Sequence, residues 1–165
     1  MGKTSTYSEL FHVEICWFKK NFEQIKAFSM ATVHRFEELE VWRCARELNK
    51  KIGGLIDTNV FGKNYRLIGQ IEGSSGSIPD NIAEGFERGT KGEFIVFLGY
   101  AKGSCGELRS QLYRIFDRNY ISKETFEDLH TLTIRISSML QKLIMYLQKT
   151  PIRGVRSSQT LNVKR

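Results

Sequence analysis

The hydrophobic residues between positions 36 and 148 recur at steps of three and four, which is the period of an amphipathic helix. No stretch in this range alternates polar and apolar residues for long enough to predict a half-buried strand. Short polar or glycine-containing stretches divide the pattern into four helical segments. Four amphipathic helices with short connections predict an all-α protein, an antiparallel up-and-down four-helix bundle.

The first two predicted helices end near glycines. The first ends at Gly53-Gly54 or shortly beyond, and the second ends at Arg88-Gly89. The apolar stripe of the first helix is Phe36, Leu39, Trp42, Ala45, Leu48, Ile52 and Leu55, and that of the second is Tyr65, Ile68, Ile71, Ser75, Ile78, Ile82 and Phe86.

Hydrogen-bonding side chains mark the starts of the third and fourth predicted helices. Thr90 is followed three positions later by Glu93, which is a capping box. Ser122 is a favourable N-cap, Glu124 lies near the positive end of the helix dipole, and Pro151 prevents continuation. The third stripe is Phe94, Phe97, Ala101, Cys105, Leu108, Leu112 and Ile115, and the fourth is Phe126, Leu129, Thr133, Ile136, Leu140, Leu143 and Leu147.

Pro79 lies inside the second predicted helix, where it removes a backbone hydrogen bond and predicts a kink. Asn81 and Glu84 follow it closely. We interpret these two polar side chains as partners for backbone groups at the kink or at a helix end, because buried polar groups need such partners. The alternative interpretation is a polar functional site.

Glycines recur at the spacing i, i+4, i+7 on both the second and the third predicted helix. A glycine inside a helix costs about 1 kcal/mol relative to alanine, so the pattern needs a compensating gain. We expect that gain to be close packing, by backbone approach between the two helices or by a subunit contact. A groove for a ligand is the alternative. The residues are Gly69, Gly73, Gly76, Gly99, Gly103 and Gly106.

The length of 165 residues predicts one compact domain with tails. We assign residues 30–150 to the bundle, residues 1–29 to an N-terminal extension and residues 151–165 to a basic flexible tail. The extension carries hydrophobic residues at helical spacing from Phe11 to Ile25. It is interpreted as an extra packing helix, as a membrane-surface helix, or as sequence upstream of a natural start at Met30.

The net charge of +7 favours an anionic partner. Residues 149–165 hold five basic residues and no acidic one, so the bundle itself is nearly neutral. Two basic stripes on the first and fourth helices, together with the tail, are candidate phosphate contacts for RNA or DNA, although a solvated helix surface has the same pattern. The candidates are Arg43, Arg46, Lys50, Arg135, Lys142, Lys149, Arg153 and Arg156.

The sequence gives no support for a membrane protein, a secreted protein, a disulfide-linked protein or an enzyme. No apolar run approaches the roughly 20 residues that span a bilayer, and no secretory signal is apparent, so we expect a cytoplasmic protein that does not enter a membrane. Cys16, Cys44 and Cys105 are odd in number and widely spaced, which favours reduced thiols, with the last two in the core. We find no catalytic motif, metal-ligand spacing or cofactor motif, and therefore expect no enzymatic activity and no cofactor.

Two segments resemble a known family. The segment from Phe36 to Trp42 (FEELEVW), and above all that from Ser77 to Gly85 (SIPDNIAEG), resemble the bacterial four-helix bundle proteins encoded in 23S ribosomal RNA intervening sequences. That family is similar to the accessory variability determinant of diversity-generating retroelements. The resemblance covers about residues 35–148. It implies a homopentamer, nucleic-acid binding, and a reverse transcriptase as a partner. Members often carry basic residues where this chain has Ile71-Glu72-Gly73, so the resemblance to an RNA-binding protein is weaker there.

Two functional hypotheses follow. The first is a nonenzymatic, oligomeric four-helix bundle that binds RNA or DNA through basic surfaces. The second is a protein-assembly adaptor, or a reverse-transcriptase accessory protein of a retroelement, whose basic tail is incidental. Tyr100, Tyr113 and Tyr146 are candidates for a subunit contact, with packing inside the bundle as the alternative.

Overall fold

The computed structural model describes residues 33–151, and this part of the chain contains helices and connecting turns but no strand. A short 3-10 helix, η1, precedes four long α-helices. The elements are η1 (Phe36–Glu38), α1 (Glu40–Asp57), α2 (Tyr65–Glu87), α3 (Lys91–Asp117) and α4 (Lys123–Lys149). Within the described range, none of these helices is both long and apolar enough to cross a membrane.

The predicted caps of the third and fourth helices are confirmed. The hydroxyl oxygens of Thr90 and Ser122 accept hydrogen bonds from the backbone N–H three residues later, at 3.3 and 3.2 Å. Asn64 caps α2 in the same way at 3.3 Å. Gly89 lies just after the end of α2 and has φ at +75°, a conformation that glycine adopts without strain.

The four helices form an antiparallel bundle. Each helix packs on the next, and α4 packs on α1. Within the described residues, diagonally opposite helices have no Cα atoms within 8 Å of each other. The first residue of α3, Lys91, bonds to Thr150 just after α4, whereas Tyr113 near the end of α3 contacts Phe126 near the start of α4. The predicted all-α four-helix bundle is therefore confirmed.

Most of the core is formed by the predicted stripes, but Val41, Leu67 and Leu98 are buried members that the stripes did not include. One predicted member is wrong: Tyr65 is 73% exposed, because it is the first residue of α2 and lies beyond the packed layers. Cys105 is fully buried as predicted, but Cys44 is only half-buried at the boundary between α1 and α4. The largest fully buried side chains are Leu48, Ile52, Ile71, Ile78, Ile82, Leu98, Leu108, Leu112, Ile115, Thr133, Ile136 and Leu140.

Helix α2 continues through Pro79 from Tyr65 to Glu87, so the predicted kink stays a prediction. The interpretation of Asn81 as a backbone partner is confirmed, because its side-chain amide donates to the Ser77 carbonyl at 2.7 Å. The same interpretation is wrong for Glu84. Its carboxylate accepts a hydrogen bond from the side chain of Arg88 at 2.7 Å instead.

The prediction that the two glycine rows bring α2 and α3 together is wrong. A Cβ atom added at any of the six positions would meet nothing within 4 Å. The reason is helical phase: Gly73 lies about 200° around α2 from the buried Ile71, and therefore faces outward. Both glycine rows lie on open faces of the bundle.

The close approach between α2 and α3 occurs at another glycine. A Cβ atom at Gly85 would lie 2.5 Å from the Cβ atom of Phe97 and 3.2 Å from the ring of Phe94. Gly85 is itself buried. This position therefore sets the separation of the two helices near the turn that joins them.

Buried polar side chains fix the register of the first three helices. The Ser74 hydroxyl on α2 donates to Gln111 on α3 at 2.6 Å, and the Gln111 amide donates to Glu107 at 3.0 Å. One residue along α2, the Ser75 hydroxyl donates to Asn49 on α1 at 2.9 Å. An axial shift of α2 would leave these groups buried without partners, which is costly.

Candidate nucleic-acid interface

The basic stripe on α1 lies on the solvent side of that helix. Arg43, Arg46 and Lys50 are all exposed. Arg43 donates to the backbone carbonyl of Glu37 at 2.8 Å, and the Arg46 guanidinium lies 5.9 Å from the ring centre of Trp42. Within the described residues, none of the three basic side chains forms a salt bridge, so their charges are available to an anion.

The three residues of the basic stripe on α4 differ in their surroundings. Arg135 is near Cys44 of α1, since its charge opposes the rise that burial causes in the pKa of this thiol. Burial also lowers the pKa of Lys142. Lys149 is exposed at the end of the helix. The three residues are spaced by seven positions, about 10.5 Å of helix rise each.

Acidic residues separate the two stripes. Glu40 accepts a hydrogen bond from Cys44 at 3.8 Å. The pKa of Lys51 is raised first by its hydrogen bond to Asp128 of α4 at 2.9 Å, and less by the charge of Glu47. Both glutamates therefore lie on the side of α1 that faces α4. The structure does not bring the α1 and α4 stripes together into one continuous basic surface.

The remaining predicted contacts, Arg153 and Arg156, lie outside the described residues, as do the N-terminal extension at residues 1–29 and most of the basic tail. The segment Ile71-Glu72-Gly73, where the resembled family often has basic residues, has Ile71 in the core and the other two residues exposed. This outer face of α2 therefore presents a carboxylate.

A third set of basic residues lies between α3 and α4 and was missed by the sequence analysis. Lys91, Lys102 and Arg109 are half-buried on the side of α3 that faces α4, and are called the α3 basic row here. They are 11 and 7 residues apart, close to three turns and two turns of a helix, so they share one face over about 27 Å. This spacing was the signal available in the sequence.

The α3 basic row has no acidic partner within the described residues. The Lys91 ammonium donates to the Thr150 backbone carbonyl at 3.0 Å, and the Lys102 ammonium donates to the Gln141 side-chain oxygen at 2.7 Å. The Nε atom of Arg109 is buried and has no hydrogen-bond partner there. All the salt bridges of the described chain lie elsewhere.

An aromatic cluster adjoins the Arg109 end of the row. Its four rings come from α3 and α4, and are those of Tyr113, Phe116, Phe126 and His130. Phe126 stacks on Phe116 and His130 with ring centres 4.7 and 5.2 Å away, and Tyr113 contacts Phe126 and His130 at 5.0 and 5.3 Å. Tyr113 is 50% exposed, so one ring of the cluster is open to solvent.

The protonation of two groups follows from these surroundings. The pKa of His130 is lowered, first by burial and then by the charge of Arg109. Burial raises the pKa of the Cys105 thiol to about 12, against the opposing effect of Arg109. Both groups are neutral near pH 7, and Arg109 is therefore the charged group at this end of the α3–α4 boundary.

The profile of the family described as 23S rRNA-intervening sequence protein matches residues 37–142. A solved structure of a protein with unknown function from the S23 ribosomal protein family of Bacteroides thetaiotaomicron is similar to this chain. It has 26% sequence identity and a TM-score of 0.60, over 67% of this chain and 99% of that one. No curated protein matches.

Proposed function

The chain belongs to the 23S rRNA-intervening sequence protein family, and on that premise we propose that it is a nonenzymatic, oligomeric four-helix bundle that binds RNA or DNA through its basic surfaces. The main support is the α1 stripe. Arg43, Arg46 and Lys50 are exposed together on one helix face with no salt bridge to the described chain. A cation that is not paired with a protein carboxylate gains the most binding free energy from a phosphate, because binding releases the counterions of the nucleic acid.

The proposed contacts divide into the α1 stripe and residues at the C-terminal end of the chain. The α1 stripe supplies three charges, Lys149 lies at the end of α4, and Arg153 and Arg156 follow it in the sequence. Phosphate contacts of this kind position a protein on nucleic acid without reading its sequence. We therefore expect affinity that depends steeply on salt, in the cytoplasm where ribosomal RNA is available.

The experiment is a fluorescence-anisotropy titration of the full chain with structured RNA, duplex DNA and a polyanion, across a salt series. Reversing Arg43, Arg46 and Lys50 to glutamate should weaken binding and reduce the salt slope by roughly 2 to 3. The matched control reverses Lys63, Arg66 and Arg118, which are also exposed and produce the same change in net charge. Equal loss in both variants would indicate a net-charge effect and contradict a role for the stripe.

The oligomer is tested by the mass of the assembly. A homopentamer predicts five times the 19.1 kDa protomer mass. A monomeric mass at the concentrations used for binding would contradict the oligomeric part of the proposal and leave nucleic-acid binding to be judged by the titration.

A second candidate function is a protein-assembly adaptor, or an accessory protein of a reverse transcriptase. The observation that favours it is the open face of α3. Val96 and Tyr100 are 49% and 58% exposed there, beside Gly99 and Gly103. Such a face suits close packing by another protein. Absence of salt-dependent nucleic-acid binding in the titration would favour this second function.

A further inference from the structure

The α3–α4 groove, meaning the α3 basic row with the facing residues of α4, differs from the α1 stripe. Its cations are half-buried rather than exposed, as Arg135 and Lys142 of α4 also are. Two of them, Lys91 and Lys102, bond to neutral oxygens. The Nε atom of Arg109 is buried without a hydrogen-bond partner in the described range, and Arg109 forms no salt bridge there. An unsatisfied buried donor is uncommon and needs an explanation, of which a bound anion is one.

Two glycines lie on the solvent side of the α3 basic row. Gly99 and Gly106 each precede a residue of the row by three positions, so they lie about 60° further round α3, towards solvent. A Cβ atom at either glycine would meet nothing within 4 Å. No side chain at these positions shields Lys102 or Arg109, and an extended polymer can therefore approach the backbone of α3 closely.

The aromatic cluster indicates the class of polymer. Tyr113 lies one helical turn after Arg109, is half exposed, and contacts His130 at 5.3 Å. An acidic peptide would need cations alone, whereas a nucleic acid offers both phosphates and bases. Proteins that bind single strands combine a basic groove with exposed aromatic rings on which bases stack. A duplex keeps its bases stacked inside and would not use the ring.

We propose that the α3–α4 groove binds a single-stranded segment of RNA or DNA, in which Arg109 contacts a backbone phosphate and Tyr113 stacks on a neighbouring base. This inference rests on the proposed function and adds to it a site, a class of nucleic acid and a role for each residue. Lys102 and Lys91 extend the phosphate contacts along the strand, about 10.5 and 27 Å from Arg109.

The test uses the full chain and three labelled oligomers of equal length: oligouridine, oligodeoxythymidine and an abasic oligomer that has phosphates without bases. Replacing Arg109→Gln should weaken binding to all three by about 10-fold and reduce the salt slope by about 0.7. Replacing Tyr113→Leu should weaken binding to both base-containing oligomers by about 10-fold and leave the abasic oligomer unaffected. Comparison of the uridine and thymidine oligomers shows which sugar is preferred.

Each variant has a matched control in α3 or directly after it. Arg118→Gln removes one exposed positive charge, and Tyr100→Leu removes one half-exposed tyrosine ring outside the groove. Both controls should bind within about 2-fold of the wild type. Circular dichroism checks that every variant is folded. Lys102→Gln is a second test of the row, and should also weaken binding to all three oligomers.

A readout local to the groove comes from the wild-type protein. The imidazole signals of His130 should shift in an NMR titration with oligouridine, because this ring touches Tyr113 and senses the charge of Arg109. Signals of His34, which is exposed before η1, serve as the control and should not shift.

The outcomes separate this inference from the proposed function. If the wild type binds oligouridine and both Arg109→Gln and Tyr113→Leu bind equally well, the groove is not the site, although nucleic-acid binding stands. If the wild type binds no nucleic acid, both proposals fail. Two other results would also overturn the inference. Equal competition by polyglutamate would assign the groove to an acidic peptide. A change in assembly mass in Arg109→Gln would assign it to a subunit contact.

Discussion

Replacing Gly85 with alanine tests the packing of α2 against α3. The new Cβ atom would lie 2.5 Å from the Cβ atom of Phe97, where ordinary contact begins at 3.4 Å. Neither atom can rotate away, because both are attached directly to helix backbone. The helices must therefore separate by about 1 Å, and overpacking of this kind costs about 3 kcal/mol. Alanine regains about 1 kcal/mol through helix propensity, which leaves a net loss of about 2 kcal/mol.

The control is the same change at Gly73, in the same helix, where the added methyl group would meet nothing within 4 Å. This variant should gain about 1 kcal/mol. Thermal unfolding followed by circular dichroism, at one protomer concentration, should place Gly85→Ala roughly 4 to 8 °C below the wild type and Gly73→Ala roughly 2 to 4 °C above it. Equal stabilisation by both substitutions would refute the argument that Gly85 sets the helix separation.

Three further outcomes are expected. Because the pKa of His130 is below that of an unfolded histidine, the free energy of unfolding should fall as the pH drops below about 6.5, and His130→Gln should flatten this slope. The Cys105 thiol, with a pKa of about 12, should resist alkylation in the folded protein and react only after unfolding, whereas Cys44 should react earlier, as peptide mass spectrometry would show. Replacing Arg109→Met removes a buried unsatisfied donor and should raise the free energy of unfolding by about 1 kcal/mol in urea titrations; no gain would show that the guanidinium is well solvated.

The helices and their caps could be predicted because local chemistry determines them. The stripe spacing reports which residues are buried, and a hydroxyl at Thr90 or Ser122 has few better partners than the free N–H groups of the helix that follows. Asn64 does the same for α2, and a search for amide caps as well as hydroxyl caps would have found it.

The glycine rows were misassigned although the sequence contained the necessary signal. Spacing alone shows that Gly69, Gly73 and Gly76 share a face, but not which face is buried. Comparison of their helical phase with that of Ile71 or Ile78 would have placed them outward. Gly85 escaped notice because a single glycine forms no pattern, and its importance depends on Phe97, which only the three-dimensional packing brings close.

The α3 basic row could not be found from charge arithmetic, since the bundle is nearly neutral overall. The row is distinguished by its surroundings, because its cations face neutral groups of the α4 region. The carboxylates of the described chain that form salt bridges pair instead with Arg35, Lys51, Arg88 and Lys123. Neighbouring residues of the row are about 10.5 and 16.5 Å apart along the helix. At physiological salt the Debye length is about 8 Å, so these cations repel one another weakly, whereas a phosphate in direct contact with one of them is hardly screened. A row of this spacing therefore adds little charge repulsion within the fold and still attracts a polyanion.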